Sequence, residues 1–423
     1  MASDAVDSRP HAGTPGRKPR VVLGVSGGIA AYKACELLRR FTESGHDVTV
    51  VPTAAALEFV GAPTWAALSG KPVSAEVWSD VHEVPHVRIG QTADLVVVAP
   101  ATADLLAKAA HGLADDLLTN TLLTARCPVV FAPAMHTEMW EHPATQENVA
   151  TLRRRGALVI EPAEGRLTGT DTGKGRFPEP AEIFETARDL LGRGGAANVL
   201  DLAGRHVLVS AGGTREYLDP VRFLGNRSSG LQGYALARAA VSRGAEVTLV
   251  AANVSLPDPA GAKVVPVETT AQLRHAVLAA APTADAVVMA AAPADYRPRS
   301  VSDTKIKKAD DGTAPALDLE QNPDILAEIS RDRARPGSVI VGFAAETGDA
   351  TASVLDLART KLARKGCDLL VVNDVSGGKV FGSTENEAVV LDAAGEATHV
   401  PRSAKSVLAH AIWDRVAARL GSG

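Results

Sequence analysis

Two stretches of small residues in this 423-residue sequence are the best placed to hold an anion, because each lies between an apolar run and a helical pattern. The first is Ser26-Gly27-Gly28-Ile29-Ala30-Ala31. The second pairs Ser210-Ala211-Gly212-Gly213-Thr214 with Asn226-Arg227-Ser228-Ser229-Gly230. At such turns free backbone N–H groups meet the positive end of a helix dipole, which favours phosphate. The first does not match G-x-G-x-x-G, so a dinucleotide is disfavoured and a mononucleotide such as FMN stays open beside the plain alternative of a tight turn. The second is not a P-loop, but two loops at one helix start offer enough donors for a triphosphate. Thr53 is either a further phosphate contact or a helix N-cap. Ala99-Pro100-Ala101-Thr102 and Ala132-Pro133-Ala134-Met135 end strands, where open α/β sheets collect ligands; they are either one pocket rim or two ordinary turns. His82 and His86 are candidate acids or bases, since an imidazole can both take up and release a proton, or simply packed or surface side chains. Asp295 closes an apolar run, and Lys305-Ile306-Lys307-Lys308 follows as either a solvated face or a phosphate contact.

These residues need a scaffold, and the sequence supplies one twice. Runs at 20–26, 47–53, 94–102, 128–135 and 157–162 are apolar on both faces and alternate with stretches long enough for crossover helices. That is the pattern of a parallel sheet covered on each side. The alternation pauses at 192–204 and restarts with runs at 205–213, 245–252, 262–269, 285–296, 338–346, 368–374 and 388–393. The expected fold is α/β, with two doubly wound, Rossmann-like domains at 20–191 and 205–423, a linker at 192–204 and a flexible tail at 1–19. At roughly 150 residues per domain, the length also points to two or three.

Composition removes whole classes of function. Hydrophobic residues make up 46% and charged ones 22%, so the chain folds rather than staying disordered. The net charge of -5 gives no footprint for nucleic acid or an anionic membrane, so any anionic ligand must be held locally. Cys35, Cys127 and Cys367 are too few and too scattered for a disulfide framework or a Cys-x-x-Cys site, which fits a reducing cytoplasm. No apolar run approaches the roughly 18 residues of a membrane span, and the first residues lack the apolar core of a signal peptide.

Taken together, SGGIAAYK, PTAAALEF, HVRIGQTADLVVVAPATADLLAKAAHGLADDLL, APAMHTEMW and LTGTDTGKGRFPEP resemble the flavodoxin-like FMN-containing phosphopantothenoylcysteine decarboxylases. In that family FMN oxidises the substrate thiol to a thioaldehyde, so that loss of carbon dioxide leaves an enethiolate instead of an unstabilised carbanion, and the reduced flavin returns its electrons. The resemblance places His86 at the catalytic histidine. It places FMN against Ser26, Gly27, Gly28, Ile29, Ala30, Thr53, Phe59, Pro100, Ala101 and Thr102. Met135 and His136 fall where the family binds the substrate carboxylate, with His136 replacing an Asn; imidazole still donates a hydrogen bond. Relatives carry a proton-donating Cys in a flap, where this chain has Gly169. Thr168, Thr170, a bound water or a residue elsewhere must supply that proton.

The second half resembles phosphopantothenate-cysteine ligase across SAGGTREYLDPVRFLGNRSSG, AAPADYR, KIKK, QNPDIL, VGFAAET and ARTKLARKGCDLLVVND. Bacterial members use CTP with magnesium: the carboxylate of 4′-phosphopantothenate attacks the α-phosphorus, pyrophosphate leaves, and the amine of L-cysteine then displaces CMP. The resemblance assigns Ala292, Asp295, Lys305, Asn322, Pro323, Asp324, Ile325, Phe343, Lys361 and Lys365 to CTP. Asn226 matches the residue that recognises the acyl-cytidylate, Arg222 helps bind phosphopantothenate, and Mg2+ rides on the CTP phosphates with no protein ligand assigned. Lys361 and Lys365, four apart, repel unless an anion lies between them; the alternative is an ordinary exposed pair. The two resemblances together imply a cytoplasmic, bifunctional coenzyme A biosynthetic enzyme that makes and then decarboxylates 4′-phosphopantothenoylcysteine. They also imply a homo-oligomer, with trimeric decarboxylase and dimeric ligase units permitting a dodecamer, and no nucleic-acid or membrane partner. The rivals are a flavoprotein decarboxylase of another substrate and a flavin-binding regulatory subunit.

Overall fold

The computed structural model describes residues 17–73, 85–167, 171–194, 200–307, 316–346, 354–374, 383 and 385–421. The chain divides into two compact units: Met1–Ala203 with Ser242–Gly244, and Gly204–Val241 with Ala245–Gly423. Within the expected linker, Gly192 still belongs to the helix Pro180–Gly192, and 195–199 lie outside the described residues.

In the first unit, β1 (Arg20–Val25), β2 (Asp47–Pro52), β3 (Leu95–Ala101), β4 (Val129–Pro133) and β5 (Leu158–Val159) form a parallel sheet ordered β2-β1-β3-β4-β5. This is the flavodoxin-like order. Every residue of β3 is buried, as a central strand with both faces covered requires. The helix Ala31–Glu43 buries Ala31, Ala34, Leu37, Leu38 and Phe41, a single stripe at helical spacing, and Phe41 meets Phe184 edge-on with ring centres 5.2 Å apart. The strand expected at 157–162 is shorter than its apolar run, because only Leu158 and Val159 pair with β4. The chain then makes an antiparallel hairpin, β6 (Ala163–Arg166) with β7 (Thr172–Arg176), where the sequence shows small and polar residues without apolar alternation.

Among the described residues the second unit holds twelve strands, eight of them in one sheet. β8 (His206–Gly212) is followed by a ribbon of β9 (Arg215–Tyr217) and β10 (Phe223–Gly225), then β11 (Glu246–Ala252), β12 (Ala262–Val267) and β13 (Ala286–Met289). A second ribbon pairs β14 (Tyr296–Pro298) with β15 (Leu319–Gln321) before β16 (Val339–Glu346), β17 (Leu369–Asp374), β18 (Glu385–Asp392) and β19 (Ala397–Ala404). The sheet order is β12-β11-β8-β13-β16-β17-β18-β19, a Rossmann order extended by an antiparallel pair. Two expectations change. The strand foreseen at 285–296 stops at Met289: Ala290 N–H turns back to the Val288 carbonyl at 3.2 Å, and the Ala292 and Ala294 N–H groups bond to the Gly212 carbonyl and to Thr214 Oγ1. β19 has no counterpart in the apolar runs, since only Val400 of its eight residues is buried, as suits a polar edge strand.

Candidate active sites

In the first unit the strand register places the small-residue turn 26–31 at the sheet edge. Gly24 of β1 lies opposite both Val51 of β2 and Val98 of β3, so the chain after each strand emerges at one edge, where the strand order reverses. Ser26 binds this edge together: its Oγ donates to the Pro100 carbonyl at 2.8 Å and accepts from the Thr102 N–H at 2.9 Å. The buried hydroxyl is thereby spent on the chain itself, and the Ser26 N–H donates to the same Pro100 carbonyl at 3.2 Å, so Ser26 shapes the turn. Thr53 and Thr102 are N-caps, accepting from Ala56 N–H at 3.2 Å and Leu105 N–H at 3.4 Å. Pro100 and Ala101 are buried, Gly28, Ala30, Thr53 and Thr102 half-buried, and Ile29 and Phe59 exposed.

Two features of this edge fit FMN. A Cβ at Gly27 would stand 2.4 Å from the Ala55 Cβ and 2.8 Å from its carbonyl carbon, so only glycine lets the two loops approach. The helix Ala31–Glu43 starts without a side-chain cap and without an acid in its first turn, leaving N–H groups and dipole to a phosphate.

His86 opens the helix Pro85–Thr92, and its carbonyl accepts from Thr124 Oγ1 at 2.8 Å. Its Nδ1 is buried and meets no partner among the described residues. A buried ring nitrogen left unmet costs about 1–3 kcal/mol, so a partner for this atom has to come from outside the described residues. His82 lies outside the described residues.

Met135 is fixed by its N–H, which donates to the Gly175 carbonyl of β7 at 3.0 Å. His136 begins the short helix Thr137–Glu141; its partly exposed ring has Nδ1 3.6 Å from a Glu138 carboxylate oxygen. The hairpin beside these residues is tied down by Glu161, which pairs with Lys174 and Arg153, each at 2.6 Å. Burial pushes the Glu161 carboxyl up, but Lys174 and Arg153 more than offset this and hold it below its ordinary 4.5. A carboxyl lowered on folding stabilises fully above 4.5 and loses that contribution as pH falls through the lower folded value. Proteolysis across 163–176 is therefore expected to rise below pH 4.5 while the sheet stays intact, and an unchanged cleavage rate would refute the tie.

Thr168, Gly169 and Thr170 lie outside the described residues; Leu167 N–H to Asp171 carbonyl, at 2.8 Å, closes the hairpin on either side of them. The cysteines are free, and burial pushes Cys35 up, Cys127 up to about 12 and Cys367 up to about 11. Such thiols are poor proton donors at neutral pH.

In the second unit Gly212 of β8 pairs with Ala252 of β11, and Ser210 of β8 with Met289 of β13. The loops that follow therefore meet where the order reverses. Ala292 N–H donates to the Gly212 carbonyl at 2.8 Å, and Asn226 Nδ2 donates to the Pro293 carbonyl at 2.8 Å. A Cβ at Gly213 would lie 2.5 Å from the Asn226 carbonyl oxygen, so this loop contact also needs glycine. Gly230, left-handed at φ 76°, turns the second loop into the helix Leu231–Ser242, which has no acid in its first turn.

No local sequence pattern marks the residues that hold the 291–295 loop. Thr270 Oγ1 donates to buried Glu216 at 2.8 Å, so the 2.9 Å contact between the Thr214 and Thr270 hydroxyls has Thr214 as donor. Thr214 Oγ1 then accepts from Ala294 N–H at 2.8 Å. One directed chain thus runs from the loop to a buried carboxylate.

Other expected contacts are redistributed. Asn322 is buried and spends its amide on the Ala294 carbonyl at 2.9 Å and on Arg297 at 3.3 Å, shaping the loop from beneath. Ile325 packs into the core at 2% exposure, so its side chain lines no site, and only its backbone is available. Asp324 caps the helix Ile325–Arg331 and pairs with Lys365. Burial pushes the Asp324 carboxyl up, but Lys365 holds it below its ordinary value. Lys365 is only 15% exposed, so it is not the exposed half of an ordinary surface pair. Ala292, Lys361 and Phe343 are half-buried, whereas Asp295, Pro323, Arg222, Asn226 and Lys305 are exposed. Lys308 lies outside the described residues, and among those described no cluster of three His, Cys, Asp or Glu side chains could hold a metal.

A flavoprotein family model matches residues 11–192, and the DNA/pantothenate metabolism flavoprotein C-terminal domain model matches 202–420. The chain is 60% identical over 402 residues to the coenzyme A biosynthesis bifunctional protein CoaBC of Mycobacterium tuberculosis, covering 94% of this chain and 96% of that protein. It is 59% identical over 412 residues to the Mycolicibacterium smegmatis protein of the same name, covering 96% and 99%. With the Bacillus subtilis protein of that name it shares 42% over 402 residues, covering 94% and 96%. Among solved structures, a C-terminal domain of coenzyme A biosynthesis bifunctional protein CoaBC matches at 33% identity and TM-score 0.45, covering 53% of this chain and 99% of that one. A PPC decarboxylase mutant complexed with pantothenoylaminoethenethiol matches at 34% and 0.38, covering 41% and 97%. With identity of this level sustained through both halves, the chain belongs to the family of coenzyme A biosynthesis bifunctional proteins CoaBC.

Proposed function

We propose that the two units catalyse consecutive steps: residues 205–423 join 4′-phosphopantothenate to L-cysteine at the expense of CTP, and residues 20–191 decarboxylate the 4′-phosphopantothenoylcysteine so formed. The observation that carries this reading is that each sheet reverses its strand order beside a small-residue turn, so that the two predicted phosphate sites occupy the ligand-binding edge of their folds.

In the ligase unit the 212–214, 226–230 and 291–295 loops surround the nucleotide, with Asp295 beside the base. Lys305, Lys361 and Lys365 supply positive charge where the triphosphate must lie, and Mg2+ arrives on the phosphates. Attack by the phosphopantothenate carboxylate on the α-phosphorus expels pyrophosphate, and fixed cations favour that step by meeting charge as it develops. Asn226 keeps its Oδ1 for the acyl-cytidylate while its Nδ2 holds the Pro293 carbonyl. The cysteine amine then displaces CMP.

In the decarboxylase unit the turn 26–30 with Thr53 and Thr102 holds FMN. When bound, FMN supplies a reversible two-electron acceptor. His86 moves a proton at its ring, and His136 with Met135 orients the substrate carboxylate. The proton returned at the end belongs to the segment carrying Thr168 and Thr170, or to water. The same reading includes the cytoplasm and the trimeric and dimeric contacts. No described helix is long and apolar enough to cross a membrane. Exposed Ile29, Tyr32 and Phe59 in one unit, and Val221, Phe223 and Tyr296 in the other, are apolar side chains that an oligomer would cover.

Purified protein is expected to be yellow. Given 4′-phosphopantothenate, L-cysteine, CTP and Mg2+, it should release pyrophosphate and then carbon dioxide in equal amounts. Pyrophosphate without carbon dioxide, from protein replete with FMN, overturns the decarboxylase half.

A further inference from the structure

Asp219 lies in the turn joining β9 to β10 and has no part in the chemistry above. Its side chain is fully buried, and its two oxygens serve different neighbours. Oδ1 accepts from the backbone N–H of Val221 at 2.8 Å and of Arg222 at 2.9 Å, which is an Asx turn. Oδ2 accepts from Arg222 Nε at 2.9 Å, from Arg222 Nη2 at 2.6 Å and from the Ile306 N–H at 3.1 Å. Arg222 Nη2 also donates to the Ile306 carbonyl at 2.7 Å, and Ser302 N–H donates to the Leu218 carbonyl at 3.0 Å. Both backbone polar groups of Ile306 are thus fastened to the Asp219–Arg222 pair. Led by the Arg222 guanidinium, these donors outweigh burial and hold the Asp219 carboxyl well below the usual carboxylate range, so it is ionised at any working pH.

We propose that Asp219 is a positioning residue that locks Arg222 and Lys305, the contacts for phosphopantothenate and for CTP, into one register. This rests on the reading of those two residues given above. Among the described residues the bonds of Arg222 use Nε and Nη2, which leaves Nη1 to meet an anion. Lys305 is exposed, but the next residue, Ile306, is held through both its N–H and its carbonyl, which restricts where the Lys305 stem leaves the backbone. A flexible, exposed ammonium is a weak ligand unless its base is fixed beforehand, and orienting two substrates against each other is worth more than either contact alone. The carboxylate does both with one group, from a position that touches neither substrate.

Asp219→Asn separates the two oxygens. Asn keeps Oδ1 for the turn but sets an NH2 group against the guanidinium and the Ile306 N–H. In the full-length protein, titration calorimetry with MgCTP and with 4′-phosphopantothenate should show each Kd weakened about tenfold. Amide exchange across 302–307 should quicken while decarboxylation of supplied 4′-phosphopantothenoylcysteine stays unchanged. In a Lys305→Gln background, Asp219→Asn should shift the CTP Kd less than about twofold, since a positioning effect acts only through the residue positioned. Asp219→Ser, which also preserves the turn acceptor, is the second variant if the first does not fold, and the same results are expected of it. A lowered melting temperature with unchanged Kd values, or full additivity with Lys305→Gln, overturns the positioning role. If Lys305→Gln alone leaves CTP binding intact, the underlying assignment of Lys305 falls, and this proposal with it.

Discussion

Lys305→Gln is expected to suppress acyl-cytidylate formation about 10²–10³-fold, the range measured when one charge-stabilising donor is removed from a reacting centre. Glutamine keeps most of the side-chain length and a hydrogen-bonding end, so the change isolates the charge. Lys305 is exposed, so the substitution leaves no buried cavity, and a folding defect would be a surprise. Pyrophosphate release reports the ligase step, and carbon dioxide release from supplied 4′-phosphopantothenoylcysteine reports the other. The second should be unaffected, because the turn 26–31 and His86 belong to a unit with its own sheet. Loss of both activities in a folded variant contradicts the assignment of one reaction to each unit.

His86→Asn is expected to slow decarboxylation about 10²–10⁴-fold, the usual contribution of a positioned acid or base, and to leave pyrophosphate release unchanged. The basis for so large an effect is the buried Nδ1, which meets no partner among the described residues. A ring kept for packing would have its nitrogens paired within the protein, because an orphan costs stability. Asparagine preserves a hydrogen-bonding group near that place but cannot carry a proton. The visible absorbance of bound flavin separates the possibilities: retained colour with lost turnover fits proton transfer, whereas loss of colour would show that His86 only supports the fold around the cofactor.

The fold was legible where apolar period and burial agree. β3, buried along its whole length, and β1, buried after Arg20, read directly from their sequences. The two small-residue turns were legible for a related reason, since each lies where an apolar run gives way to a helical pattern. Legibility ended where conformation depends on contacts made elsewhere. The β6–β7 hairpin is held by Glu161 on Lys174 and Arg153, and none of these shows a local pattern. Ile325 and Asn322 sit in a recognisable motif, yet the fold sends one into the core and uses the other to brace a loop. A motif reveals which residues are near a ligand; it does not reveal which of them touch it. The edge strand β19 was missed because its outward residues are polar.

The hydrogen-bond chain from Ala294 through Thr214 and Thr270 to Glu216 has a consequence for how this enzyme can vary. Each hydroxyl in it has one proton to give, and the terminal carboxylate dictates the direction in which all of them point. The shape of the 291–295 loop is therefore inherited from residues outside it, one of them 56 positions away from Thr214 in the sequence. Exchanging 291–295 for the loop of another enzyme would transplant the letters without the instruction that folds them. Conversely, a chain that drifted within the loop but kept Thr214, Glu216 and Thr270 would retain the same support for its backbone.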